Sequence, residues 1–280
     1  MTELVCEFDV QNVEKGNLIK LNYGITKQKF FQNDVTHVLF NANFDFNCEH
    51  KSTYLINELS KAILKFLSGA KKVLVVGLGN RDICSDSFGV KTASKIIATR
   101  NLVKTKTEVS VLTPSVFGLT GIESADLIKS VVATVKPTVV IVVDSLCAIN
   151  YKNLANHFQL SNGGFAPGSG VGNNRKIINK NFIGARVITV GVPLVVYAKS
   201  FIETAVNSVM QTTMHSTKKH TDIAIFNKLL KFNFDGLVLT PKNIEQCVNK
   251  LSNIVSGAIN LALNNYNLDD QNYILQRLWN

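Results

Sequence analysis

Proline is scarce in this sequence, five in 280 residues, and none lies in a Pro- or Ser-rich stretch of the kind that links modules. Cysteine is as sparse. Cys6, Cys48, Cys84, Cys147 and Cys247 form no CxxC pair, which gives no zinc ribbon, and their odd number suits reduced thiols better than a disulfide framework. No apolar run approaches the roughly 18 residues that span a bilayer; the densest, Val139 to Val143, has the length of a strand. The first ten residues carry Glu3, Glu7 and Asp9 and lack the basic and apolar regions of a signal peptide. Internal repeats and low-complexity tracts are also missing. The expectation is a soluble cytoplasmic protein, one domain over residues 1–280, with no membrane partner.

Other absences narrow the chemistry. His37, His157, His215 and His220 show no HExxH spacing, and no nucleophile elbow accompanies them. Neither a metal nor another cofactor is expected. The net charge is +10, from 30 Lys+Arg against 20 Asp+Glu. Its lysines are scattered, as at Lys61, Lys65, Lys71 and Lys72, without the basic stripe and interleaved aromatics of a nucleic-acid surface. Nucleic acid is therefore not an expected partner, and a homo-oligomer stays open.

What is present is a series of short β-branched runs: Val73 to Val76, Val109 to Leu112, Val139 to Val143 and Val187 to Val190. Helical patterns separate them. Leu55, Leu59, Ile63 and Phe66 or Leu67 predict a helix over 52–67, and Ile122 to Val135 a second with early acids Glu123 and Asp126. Residues up to about Asn47 alternate in places and read as antiparallel strands. Fully apolar strands alternating with helices predict an α/β three-layer sandwich, with a mostly parallel central sheet and an N-terminal antiparallel strand extension. In such folds the site lies outside the carboxyl ends of the strands. Three strand exits are unusual: Gly77-Leu78-Gly79-Asn80, Asp144-Ser145 and Gly191-Val192-Pro193.

The first exit runs on to Asp86 at a helix entrance. It is not a dinucleotide fingerprint, because Asp82 stands where GxGxxG needs glycine. Asp86 reads either as a helix N-cap or as a reacting acid. Asp144 ends an apolar strand, where a carboxylate is costly unless it caps, binds or reacts. Two acids at neighbouring strand exits can overhang one crevice, and close carboxylates split their pKa values into an acid and a base. Asp86 and Asp144 are therefore the candidate catalytic pair. In Ala166 to Arg175, the glycines at 168, 170 and 172 let backbone N–H groups approach a ligand, or else brace the crevice. Gly79 and Asn80, with Gly168, Ser169, Gly170, Gly172, Asn173 and Arg175, are the candidate substrate and oxyanion contacts. Pro114 to Glu123 reads as a loop opening a helix, with Thr120 and Glu123 at capping-box spacing. Cys84 and Cys147 stand close to the two acids in sequence and read as small buried thiols.

Several strings, in order, resemble the germination protease family. GLGN…SDSFGV is similar to GLGN…TPDALGP, PSVFGLTGIES to PGVMGQTGIET, and KPTVVIVVDSLCA to KPDLVIAIDALAA. PGSGVGNNR followed by VGVPLVVYA is similar to PGSGVGNKR followed by IGVPTVVDA, and the stretch from Leu239 to Ile244 to the TPKEID helix. The likeness runs from about Val73 to Leu263. It implies an α/β sandwich related to hydrogenase-maturation endopeptidases, and an aspartic-type endopeptidase cutting small acid-soluble spore proteins. Its two essential aspartates would fall on Asp86 and Asp144. The chain departs from the family at Asn162 and Tyr197, where the family has acids, and at Ile149, where it has arginine. Two other readings stand beside this one: a metal-assisted peptidase of the hydrogenase-maturation kind, and a silent homologue that binds a peptide.

Overall fold

The computed structural model describes residues 17–43, 48–100, 106–167, 176–213, 234 and 236–264. Strands β1 (Asn17–Lys20), β2 (Thr26–Gln32) and β3 (Val35–Asn41) form an antiparallel meander. The turn joining β2 to β3 places Asn33 and Asp34 at φ 49° and 61°. These are the left-handed values that a two-residue hairpin turn demands, and Asn and Asp tolerate them.

The parallel half follows. β4 (Lys72–Gly77) pairs with β5 (Glu108–Leu112) and β6 (Val139–Ala148), and β6 pairs with β8 (Arg186–Tyr197), all parallel. β7 (His157–Ser161) runs antiparallel between β3 and β8 and joins the two halves. The two-residue β9 (Val238–Leu239) closes on the far end of β8. The strand order is β1-β2-β3-β7-β8-β6-β4-β5.

Side-chain alternation along the parallel strands builds the two outer layers. Val73, Val75, Val139, Ile141, Val143 and Ile188 face one core with α1 (Glu49–Leu67), α2 (Phe88–Ala93) and α7 (Ile244–Asn264). Leu74, Val76, Val140, Val142 and Val187 face the other, with α4 (Ser124–Val135) and α5 (Lys180–Ile183). The fold is thus the expected α/β sandwich: parallel around β4, β6 and β8, antiparallel from β7 to β1. Two further helices, α3 (Phe117–Thr120) and α6 (Ala198–Thr213), follow β5 and β8. α7 is also held by polar groups. Asn260 Oδ1 accepts from the Ile97 N–H and its Nδ2 donates to the Lys95 carbonyl, while Lys95 Nζ donates to Ser252 Oγ. These bonds fix the segment just after α2. Among the described residues no helix is long and apolar enough to cross a membrane, and Cys48, Cys84, Cys147 and Cys247 form no disulfide.

Three sequence expectations change. Gly191-Val192-Pro193 is not a strand exit: β6 and β8 run on together to Ala148 and Tyr197. A register shift between Leu146 and Cys147, where Pro193 and then Val195 are the partners, lets proline sit in the ladder. The loop expected over Pro114 to Glu123 holds a short helix of its own, α3, which Gly121 at φ 68° ends before α4 begins at Ser124. Its capping box is not made: Thr120 Oγ1 bonds within the α3 turn, and Glu123 precedes α4 without a side-chain cap.

His37 and His157 lie on β3 and β7, each with a buried Nδ1 that finds no partner among the described residues. Burial lowers both imidazoles to about 4 from 6.5. The folded protein therefore favours the neutral rings, and their contribution to stability is complete above pH 6.5 and lost as pH falls through 4. The urea midpoint should drop across that window, and replacing both histidines by leucine should flatten the drop.

Candidate active site

Two acids reach one cavity because β6 is longer than β4. β4 stops at Gly77, level with Val143, and the next residue, Leu78, donates its N–H to the Val143 carbonyl at 2.9 Å. The chain then leaves the sheet through Gly79 at φ +110°. It returns by a short helical turn, Cys84–Asp86, into α2. α2 lies against the sheet backbone. A Cβ on Gly89 would overlap the carbonyl oxygens of Val143 and Leu78, and one on Gly77 would overlap that of Gly89. β6 continues past this level, so Asp144 emerges on a strand, paired with Gly191 of β8 and 7% exposed.

Asp86 is half-buried and is not the helix cap. Ser87 holds the cap position of α2, while the Asp86 carboxylate accepts the Asn80 N–H at Oδ2 (2.7 Å) and the Ser145 hydroxyl at Oδ1 (3.3 Å). Burial raises its pKa above 3.8, against the downward pull of those two hydrogen bonds. Ser145 also donates its backbone N–H to Asp144 Oδ1 at 2.9 Å. One residue therefore ties the two carboxylates together.

Both acids line a cavity of about 310 Å³. This is near the lower end for ligand pockets, about 300–1,000 Å³, and fits a side chain or two of an extended chain. Its walls are largely apolar, including Leu146, Phe165 and Val195, and its rim carries Ile83, Phe117 and Val238, which are 52%, 43% and 43% exposed. Glu123 and Lys176 add charge, and Lys176 pairs with Asp126 at 2.6 Å. Among the described residues no three His, Cys, Asp or Glu side chains converge in a way that would hold a metal ion.

Of the other candidate residues, Gly79 lines the cavity. Asn80 gives its N–H to Asp86, and its side chain accepts from Asp82, so its backbone donor holds the acid. Gly168, Ser169, Gly170, Gly172, Asn173 and Arg175 lie outside the described residues, while Pro167 and Lys176 on either side of them both line the cavity. Cys147 is in the cavity wall. Asn162 stands at the β3–β7 end, exchanging hydrogen bonds with the Thr36 backbone. Ser145 was not singled out by sequence reasoning; its only signal is its place directly after Asp144.

Two carboxylates lie over the carboxyl edge of this doubly covered α/β sheet, and the relatives give the class of the protein, peptidase. The germination protease family model matches residues 42–235. The germination protease of Caldanaerobacter subterraneus subsp. tengcongensis is 35% identical over 225 residues, covering 72% of this chain and 69% of that protein. That of Clostridium perfringens (strain SM101) is 34% identical, covering 73% and 70%, and that of Bacillus subtilis (strain 168) 28%, covering 78% and 74%. The chain belongs to the germination protease family. A NiFe hydrogenase maturation protease from Thermococcus kodakarensis KOD1 overlays 71% of this chain and 98% of its own, with a TM-score of 0.39 and 16% identity.

Proposed function

We propose that this chain is an aspartic-type endopeptidase acting in the cytoplasm, as a single domain over residues 1–280, on small flexible proteins of the acid-soluble spore protein kind. The observation that carries this reading is the Ser145 bridge, which holds Asp86 and Asp144 on one cavity. The narrow, apolar-rimmed cavity suits an extended, unfolded chain. Pro167 and Lys176, flanking Gly168 to Arg175, support a substrate-contacting role for that string. No cofactor enters the mechanism.

Burial favours the protonated form of Asp86, making it the general acid. Asp144 is the base: it takes a proton from water, whose oxygen bonds to the scissile carbonyl carbon. Asp86 then gives its proton to the leaving nitrogen as the C–N bond breaks, and proton exchange with solvent restores the pair.

This assignment predicts a pH response. The alkaline limb of kcat/KM follows the loss of the Asp86 proton. The Ser145 hydroxyl favours the ionised form, so Ser145→Ala should raise the Asp86 pKa and move that limb to higher pH. The profile is measured on a cleaved peptide for both proteins. An alkaline limb that stays in place in Ser145→Ala would remove Asp86 from the acid role.

A further inference from the structure

Ser115 lines the cavity with Asp86 and Asp144 and has φ +66°. A residue with a Cβ is strained there, and glycine is not. The family string similar to PSVFGLTGIES has glycine at this position. What the chain gains from serine over glycine is one hydroxymethyl group, obtained at a cost in backbone strain. Strain of this kind gathers at functional sites.

The fate of the neighbouring donors shows what that group can do. A carbonyl under attack by water develops negative charge on oxygen and needs a hydrogen-bond donor. The Asn80 and Ser145 N–H groups are spent on the two carboxylates, and the Ser145 hydroxyl on Asp86. The Ser124 hydroxyl donates to the Ser115 carbonyl at 2.9 Å, which fixes the Ser115 backbone, and Lys176 is paired with Asp126. The Ser115 hydroxyl has no partner among the described residues. Ser85 is similarly placed, but it sits in the turn that carries Asp86 and shows no positive φ.

We propose that Ser115 is a catalytic residue whose hydroxyl donates a hydrogen bond to the scissile carbonyl oxygen as it becomes an oxyanion. The proposal rests on the peptidase reading of the same cavity. It makes Ser115 a residue at which strain is retained for a donor.

The test uses the full chain and one cleaved peptide, comparing Ser115→Gly, Ser115→Ala and Ser115→Asn with the parent. Ser115→Gly should raise the urea midpoint by relieving strain, yet lower kcat about 10²-fold with little change in KM, the usual effect of losing one oxyanion donor. Ser115→Ala should lose the same activity without gaining stability. Ser115→Asn, whose amide also donates and which tolerates positive φ, should recover part of kcat. A Ser115→Gly protein with the parent's kcat overturns the proposal, as does Ser115→Asn no better than Ser115→Ala. Asp144→Asn in the same assay keeps the two readings apart. If it is inactive while Ser115→Gly is not, only the Ser115 role falls; if the parent itself cleaves nothing, both fall.

Discussion

Gly79→Ala should unfold the site before it unfolds the protein. At φ +110° an alanine is strained, and its Cβ would overlap the Asp86 carbonyl oxygen and stand 3.1 Å from the Asp86 side chain. The obstruction is backbone, which a rotamer change cannot clear. The turn from Gly79 to Asp86 must open, breaking the Asn80 N–H bond to the Asp86 carboxylate. Overpacking against backbone, added to a disallowed φ, should cost about 2–4 kcal/mol. Activity should fall further than stability explains, since about 1 Å of misplacement at a reacting group is worth about 10²-fold. Urea midpoints and kcat/KM, with the latter corrected for the folded fraction, check both parts. A variant as stable and active as the parent would mean that the turn is not built as described. Gly118, by contrast, has open space around its Cβ position and should accept alanine without steric conflict.

The same glycines show what was legible in the sequence. Four β-branched runs marked β4, β5, β6 and β8; β4, β6 and β8 are apolar almost throughout because they are buried on both faces, while β5 is an edge strand with only Val109 buried. The acids stood out because each follows such a run. The outcome at Gly191-Val192-Pro193 was hidden, since glycine and proline read as a stop and only the pairing with β6 shows the bulge that absorbs them. The joint role of Ser145 was hidden for a related reason: it exists only because β6 outruns β4, and strand overhang is a tertiary fact. Thr120 and Glu123 matched a capping box by spacing alone, while Gly121 had already ended the helix between them. Serine at 115 gave no warning of positive φ, a conformation ordinarily signalled by glycine or asparagine.

Replacing either acid by asparagine should bring the largest loss of function. The amide is nearly isosteric, so Asp144→Asn can still accept the Ser145 N–H, and Asp86→Asn that of Asn80. Neither amide can exchange a proton in the reaction. Each single change should lower kcat/KM by about 10²–10⁴-fold, the range of general acid–base transfer. Stability should hold or rise. A carboxyl whose folded pKa is raised contributes stability only below the ordinary range and loses it as pH rises through the folded value. Whatever fraction of Asp86 is ionised carries that burial cost, and Asn removes it.

The double variant tests the central claim most directly, because it asks whether the two acids act as one unit. The measurement is kcat/KM on a cleaved peptide for the parent, Asp86→Asn, Asp144→Asn and the double variant, with urea midpoints alongside. Residues that act together are strongly non-additive, so the double variant should lose little more than either single one while all four proteins stay folded. Losses that multiply would assign the two acids to independent tasks, and Asp144→Asn at the parent's activity would contradict the paired mechanism outright.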